Sequence, residues 1–215
     1  MDRRKALKNM GLAMGYTVAT PTLIGIMQSC KGEQVMEWAP DFFSKEQGAV
    51  LTKLVDIILP KTDTPSASEV QVNIFIDRFI NEVADKEQQD FTKMGMGRFL
   101  EKATKAAGKE KAMDLGSEEL EKTLASTLQV TKEQEEKNNE AIEAYNIALQ
   151  EGKEAMLDDE VASHAFASNL RGMTIMAYKT SEYVGEEVLA YLPVTGQYIG
   201  CGDLQELTGG KAWSL

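Results

Sequence analysis

The chain has 215 residues, which is enough for one domain of ordinary size with a buried core. It carries 23 basic and 34 acidic side chains, and from residue 30 onward the balance is 19 to 33, a formal charge of −14. Because nucleic acids and anionic lipids are bound largely through cationic side chains, this acidic body excludes both as main ligands. Cys30 and Cys201 are the only cysteines and form no CxxC pair, so no disulfide framework and no cysteine-based zinc or haem site is expected.

The N-terminal segment has the features of an export signal. The stretch DRRKALK precedes a mildly apolar run that ends in a small residue before Cys30. It resembles the twin-arginine pattern S/T-R-R-x-F-L-K and departs from it at Asp2 and Ala6. The matching positions are Arg3, Arg4, Leu7 and Lys8. We therefore predict that residues 1–29 direct a folded protein through the twin-arginine translocase and that the mature chain is periplasmic.

Cys30 allows two interpretations. It is either a residue near a cleavage site or the acylated first residue of a lipoprotein, because MQSC matches a lipobox at Ser29 and departs from it at Met27 and Gln28. Two or more acyl chains would hold the mature protein to a membrane, since each buried methylene contributes about 0.8 kcal/mol. Membrane contact is expected only through such an anchor or through partners. Residues 30–43 are predicted to be a linker.

The remaining chain, residues 44–215, has the pattern of one mainly α-helical domain, an irregular helical bundle. Ser44 and Gln47 form a capping-box pattern at the start of a helix that Pro60 ends. A loop over 61–68 precedes a second helix within 69–83, whose apolar residues fit helical spacing, and a third helix is expected to end near Gly108.

The second half of this domain is predicted to contain more polar helices. Ser117 is expected to cap the first of them, and the next is so charged that its first half is predicted to be a solvated end or a mobile loop. Residues 154–191 predict one long helix or two in series. The candidate core residues there are Ala155, Leu157, Val161, Phe166, Leu170, Ile175 and Tyr178. An irregular tail, rich in glycine and aromatic residues, is predicted to follow.

A search for catalytic chemistry finds little. His164 is the only histidine, and it lies four residues after Glu160, so a metal-dependent enzyme using these two residues is one hypothesis; a plain helix face is the interpretation we favour. No serine lies in a GxSxG pattern, and the GMG at 95–97 lacks the preceding strand and third glycine of a dinucleotide loop. The sequence therefore predicts no catalytic, cofactor or metal site in this chain, and the export signal points to a partner that carries the cofactor.

Four segments together resemble the gluconate 2-dehydrogenase subunit 3 family. They are the twin-arginine start, VDIILPKTDTPSASEVQVNIFIDRFI at 55–80, YKTSEYVGEEVLAYLPVTGQYIGC at 178–201 and the closing GGKAWSL. Family members often carry LP.TDTPGA...GV..FID and a later GY.P.PG.Y.GC. This chain departs from those patterns with Ser66 and Ser68, where Gly and Ala are frequent, and with Ala190, where Gly is common.

The resemblance implies a small, non-catalytic subunit of an exported oxidoreductase that acts on a sugar or polyol. Its large partner, of the glucose-methanol-choline type, would bind FAD and oxidise the alcohol, and a cytochrome c (haem) or another carrier would take the electrons. This chain would supply the export signal and stabilise the catalytic subunit. The alternative is an exported helical lipoprotein that acts as a binding or structural module without a redox partner.

Two segments form the candidate partner interface. The first is the loop at 59–68, where Asp63 is expected to accept backbone amide bonds; its alternative is a plain connector. The second is the tail, because exposed aromatic residues often contribute most of the binding energy of an interface. The alternatives are a tail that folds back on its own core, and a Cys201 that is simply a small buried residue. The candidate residues are Leu59, Pro60, Asp63, Pro65, Tyr191, Pro193, Gly196, Tyr198, Cys201 and Trp213.

Overall fold

The computed structural model describes residues 38–192, 194, 196, 199 and 201–214. In chain order its helices are α1 Lys45–Ile58, α2 Val72–Glu82, α3 Lys86–Ala107, a 3-10 turn Ala112–Asp114, α4 Ser117–Leu128, α5 Lys132–Gln150, α6 Asp159–Lys179, a π-helical turn Val184–Val188 and α7 Leu204–Thr208. The predicted export signal and Cys30 lie outside the described residues. Within those residues the chain is mainly helical, as predicted, and no helix is both long and apolar enough to cross a membrane.

The sequence located several helix ends correctly because their chemistry is local. At the start of α1 the Ser44 side chain accepts from the Gln47 amide, and the Gln47 side chain accepts from the Ser44 amide, which is the predicted capping box. At the end of α3, Gly108 adopts a left-handed conformation with φ of 65°. Glycine enters that conformation without steric cost, and the helix ends there.

The start of α4 differs from the prediction. Ser117 is the first helical residue, and Gly116 takes the capping position before it. The Gly116 amide donates to the Glu119 carboxylate at 2.7 Å, and Glu119 also pairs with Lys109. The orphan amide at this helix start is thus satisfied by a carboxylate three residues later rather than by the serine hydroxyl.

Helix α5 is solvated along most of its length. It begins in the charged stretch at Lys132, with the Thr131 hydroxyl accepting from the Gln134 amide, and Asn138 is the one buried residue within its bounds. Of the two predicted alternatives, a solvated helix end is correct and a loop is not.

The core lies around α6, which packs against α1, α2, α3 and α4. Phe99 of α3 and Phe166 of α6 pack with ring centroids 5.6 Å apart. The α3–α6 pair is the most extensive helix contact in the described chain, and Gly95 lies within it. A Cβ atom at position 95 would stand 2.9 Å from the Phe166 Cβ and 3.0 Å from the Ala162 carbonyl oxygen. Gly95 therefore allows the close approach of α3 and α6.

Residues 154–191 form one long helix followed by the short π-helical turn. Ala155 and Leu157 precede α6, which begins after the Asp158 cap. Phe166 and Leu170 are buried as expected, whereas the prediction that Ile175 is a core residue is wrong, because it lies on the solvent side of α6. Besides Phe166 and Leu170, this helix buries several small residues, among them Ala162, Ala167 and Ala177.

The C-terminal tail is largely irregular, as predicted, but its described residues include two ordered elements. One is α7, and the other is an isolated parallel bridge between Ala190 and Trp213. The Ala190 amide donates to the Ala212 carbonyl and the Ser214 amide donates to the Ala190 carbonyl, both at 2.9 Å. The end of the chain therefore returns to the segment that follows the π-helical turn.

Candidate functional site

The loop at residues 59–68, here called the TDTP loop, is held in one conformation by its own backbone. The Ala67 amide donates to the Leu59 carbonyl at 3.0 Å, which closes the base of the loop, and the Thr62 amide donates to the Thr64 carbonyl at 3.0 Å. Ala67 is fully buried. The loop is thus anchored at its base and presents its tip, including Pro60 and Asp63, to solvent.

Two carboxylates next to the TDTP loop fix its second half. Asp56 accepts from both the amide and the hydroxyl of Ser68, at 2.8 and 2.7 Å. Glu69 accepts from the Ser66 amide at 2.9 Å and forms an ion pair with Lys61. Among the described hydrogen bonds, the loop amides therefore use Asp56 and Glu69, whereas the sequence pattern suggested Asp63.

Tyr178 joins the TDTP loop to the end of α6. Its hydroxyl donates to the Pro65 carbonyl at 2.7 Å and lies 3.1 Å from the Thr64 hydroxyl. Tyr178 opens the segment 178–201 that carries part of the family resemblance, and the loop belongs to the segment 55–80. These two segments thus meet through Tyr178 and Pro65, which are 113 residues apart in the chain.

Asp77 of α2 is fully buried and organises the chain that enters the domain. Its two carboxylate oxygens accept from the amides of Asp41, Phe42 and Phe43, at 2.6, 3.2 and 3.0 Å. A buried carboxylate requires such donors, because an unpaired buried charge is very costly. The stretch 41–43, assigned to the linker from sequence, is consequently bound to the helical body.

The tail residues of the candidate interface are exposed where they are described. Tyr191 and Trp213 each leave about half of their surface in solvent, and Gly196 and Cys201 are also exposed. The interpretation of Cys201 as a small buried residue is therefore wrong. Pro193 and Tyr198 lie outside the described residues.

The hypothesis of a metal site at Glu160 and His164 gains no support. Glu160 is exposed and pairs with Lys102 of α3, and the neighbouring Asp159 pairs with Arg98 at 2.9 Å, whereas His164 is buried. In the part of the chain that the structure describes, no three His, Cys, Asp or Glu side chains are grouped as metal ligands would be. The acidic residues at the start of α6 thus serve to pair it with α3.

Two open grooves flank α2, and Phe79 lines both. The first, which we call the α2–α6 groove, has a volume of about 790 Å³ and extends from Pro65 past Phe75 and Val83 to Tyr183. The second, the α3–α5 groove, has a volume of about 770 Å³ and is lined by Phe91, Tyr145 and Met176.

The ion pair beside the TDTP loop yields a prediction about pH. The hydrogen bond from Lys61, reinforced by that from the Ser66 amide, lowers the pKa of Glu69 below its usual value. Because the folded pKa is the lower one, the stabilisation is present above the unfolded pKa and is lost as the pH falls through the folded pKa.

We expect Lys61→Ala to move the pKa of Glu69 back toward its usual value, as measured by the NMR shift of the Glu69 carboxyl carbon against pH. The pKa of Glu118, which is lowered by its hydrogen bond from Lys122, is the internal control and should stay unchanged. An unaltered Glu69 titration in Lys61→Ala would contradict the assigned cause.

Comparison with known proteins assigns the chain to a family. The family model described as gluconate 2-dehydrogenase subunit 3 matches residues 45–196, more than two thirds of the chain and all helices from α1 to α6. The chain belongs to the gluconate 2-dehydrogenase subunit 3 family. This family name describes one component of a multi-subunit dehydrogenase complex. No curated protein and no solved structure matches the chain.

Proposed function

We propose that this chain is the non-catalytic small subunit of a sugar or polyol oxidoreductase whose large subunit is an FAD-dependent protein of the glucose-methanol-choline type. The family match over residues 45–196 carries the proposal. The described geometry is consistent with it, because Asp56 holds the TDTP loop, Asp77 binds the chain that enters the domain and Glu160 forms an ion pair with Lys102. These are structural roles.

In this proposal the cofactors belong to the partners. FAD is bound by the large subunit, and haem or another electron carrier by a further subunit such as a cytochrome c. The sequence of this chain has no CxxCH motif for haem attachment and no GxGxxG motif for a dinucleotide. Substrate recognition consequently resides in the catalytic subunit, and this chain acts on it by binding and stabilising it.

Export is the second part of the proposal. The twin-arginine pattern at Arg3, Arg4, Leu7 and Lys8 would send this chain and its bound, folded partner through the translocase together. The complex would then work in the periplasm. Acylation of Cys30 would additionally anchor it to a membrane.

Purification of the tagged full-length chain from its native host tests the complex. We expect a large chain with the visible absorbance of a flavin to be recovered with it in a fixed ratio. In the double variant Arg3→Lys and Arg4→Lys, both chains should stay in the cytoplasm. Repeated recovery of the solitary chain without flavin would contradict the proposal and favour a binding or structural module instead.

A further inference from the structure

The outer side of α2 carries large apolar residues that the domain does not cover. Phe75, Phe79 and Val83 leave 42%, 36% and 64% of their surface in solvent, and we call these three residues the α2 outer face. The rings of Phe75 and Phe79 stack with centroids 5.8 Å apart. Val72, Ile76 and Ile80, which neighbour these residues on the helix surface, are buried in the core. The apolar residues therefore occupy a wide arc, and only part of that arc is covered within the described chain.

The α2 outer face is continuous with concave surfaces on both sides. Phe79 forms a ridge that lines the α2–α6 groove and the α3–α5 groove. The first groove continues to Pro65, whose carbonyl is fixed by Tyr178, and to the exposed ring of Tyr183. A ridge between two preformed grooves suits the insertion of side chains from a partner, because little conformational freedom is lost on binding.

The charges around these grooves are mainly negative. Three carboxylates, Glu69, Glu82 and Glu182, line the first groove together with the single guanidinium of Arg78. Asp85 and Glu87 line the second, which has no lysine or arginine among its lining residues. Arg78 is itself paired with Asp41 at 3.6 Å. A second copy of this acidic chain would bring like charges together at this rim, and nucleic acid or an anionic lipid surface would be repelled.

We propose that the α2 outer face and its two flanking grooves form the docking surface for the catalytic subunit, which presents apolar side chains surrounded by basic ones. This inference rests on the proposed function and adds the surface and its chemistry. The sequence predicted the TDTP loop and the tail as the interface. In this proposal the loop contributes only in part. Pro65 forms a wall of the first groove, whereas the exposed tip of the loop at Pro60 and Asp63 supplies no wall to either groove.

The test uses the full-length tagged chain, purified from its native host with whatever binds to it. The variant combines Phe75→Arg and Val83→Arg, which removes apolar contact and places positive charge opposite a basic partner. Both side chains are exposed, so the fold should be retained, and this is checked by the thermal unfolding of the purified chain. Met156→Arg is the matched control, since Met156 is 98% exposed and lines neither groove.

We expect the wild type and Met156→Arg to recover equal amounts of flavoprotein. The double variant should bind it at least about 30-fold more weakly, the effect of losing one central interface residue worth about 2 kcal/mol. Reversing the charge at the rim with Glu82→Lys and Glu182→Lys should also weaken binding. This loss should be larger at low salt than at high salt, because salt screens exposed charges. Equal recovery by the double variant would overturn the docking surface while leaving the proposed function intact. Recovery of no flavoprotein by the wild type would overturn both.

Discussion

Replacement of Asp77 by alanine is expected to lower the free energy of unfolding by about 3 kcal/mol. The substitution leaves the amides of Asp41, Phe42 and Phe43 without their acceptor, in a site where the carboxylate itself is fully buried. Hydrogen bonds to charged groups contribute about 1.5–3 kcal/mol each, and an unpaired buried donor costs about 1–3 kcal/mol. The loss in the free energy of unfolding should therefore exceed that of an ordinary surface substitution, even after local rearrangement.

Asp85→Ala is the matched control for Asp77→Ala. Asp85 caps α3 by accepting from the Gln88 amide at 2.9 Å, and it is exposed, so its loss should cost about 1 kcal/mol. Urea unfolding followed by far-ultraviolet circular dichroism measures both variants. If Asp77→Ala were no less stable than Asp85→Ala, the three amides would not depend on the carboxylate.

The role of Asp77 could not be predicted from sequence, because its partners lie 34–36 residues earlier in the chain. Patterns within one helical turn did predict helix ends. Ser44 with Gln47 located the start of α1, and Gly108 located the end of α3. Ser117 misled, since either it or the preceding glycine can occupy a capping position, and the choice depends on Glu119 reaching back to the Gly116 amide.

Hydrophobic spacing identified α2 as a helix but could not tell which of its apolar residues are covered. The apolar residues at 72, 75, 76, 79, 80 and 83 occupy a wide arc, and the neighbouring helices cover only the part that contains Val72, Ile76 and Ile80. The remaining part, the α2 outer face, becomes visible only when the positions of α1 and α6 are known. The sequence therefore predicted the helix but not the docking surface that we propose on it.

The position of the TDTP loop could be predicted from the sequence, but its contacts could not. The sequence predicted a loop between α1 and α2, and a loop closed by backbone hydrogen bonds is found there. Its carboxylate partners, Asp56 and Glu69, lie just outside the loop at its two ends, where the sequence gives no reason to prefer them to Asp63. The contact from Tyr178 depends on the path of the whole chain between the two segments.

The second large effect is expected at Gly95, where α3 packs closely on α6. Gly95→Ala should lower the free energy of unfolding by about 1–2 kcal/mol, because overpacking against backbone atoms costs up to about 3 kcal/mol. The new methyl group would meet the Phe166 Cβ and the Ala162 carbonyl oxygen, and neither atom can move without a shift of the α6 backbone. The gain in helix propensity from glycine to alanine, about 1 kcal/mol, offsets only part of this cost.

Gly97→Ala, two residues further along the same helix, separates packing from propensity. A Cβ atom at position 97 has no neighbour within 4 Å, so this variant should gain up to about 1 kcal/mol of stability. The two variants must therefore change urea midpoints in opposite directions, and a shift of the same sign would show that the α3–α6 contact is looser than described. Because α3 and α6 both line the α3–α5 groove, through Phe91 and Met176, Gly95→Ala should also weaken recovery of the proposed catalytic subunit, whereas Gly97→Ala should leave it unchanged.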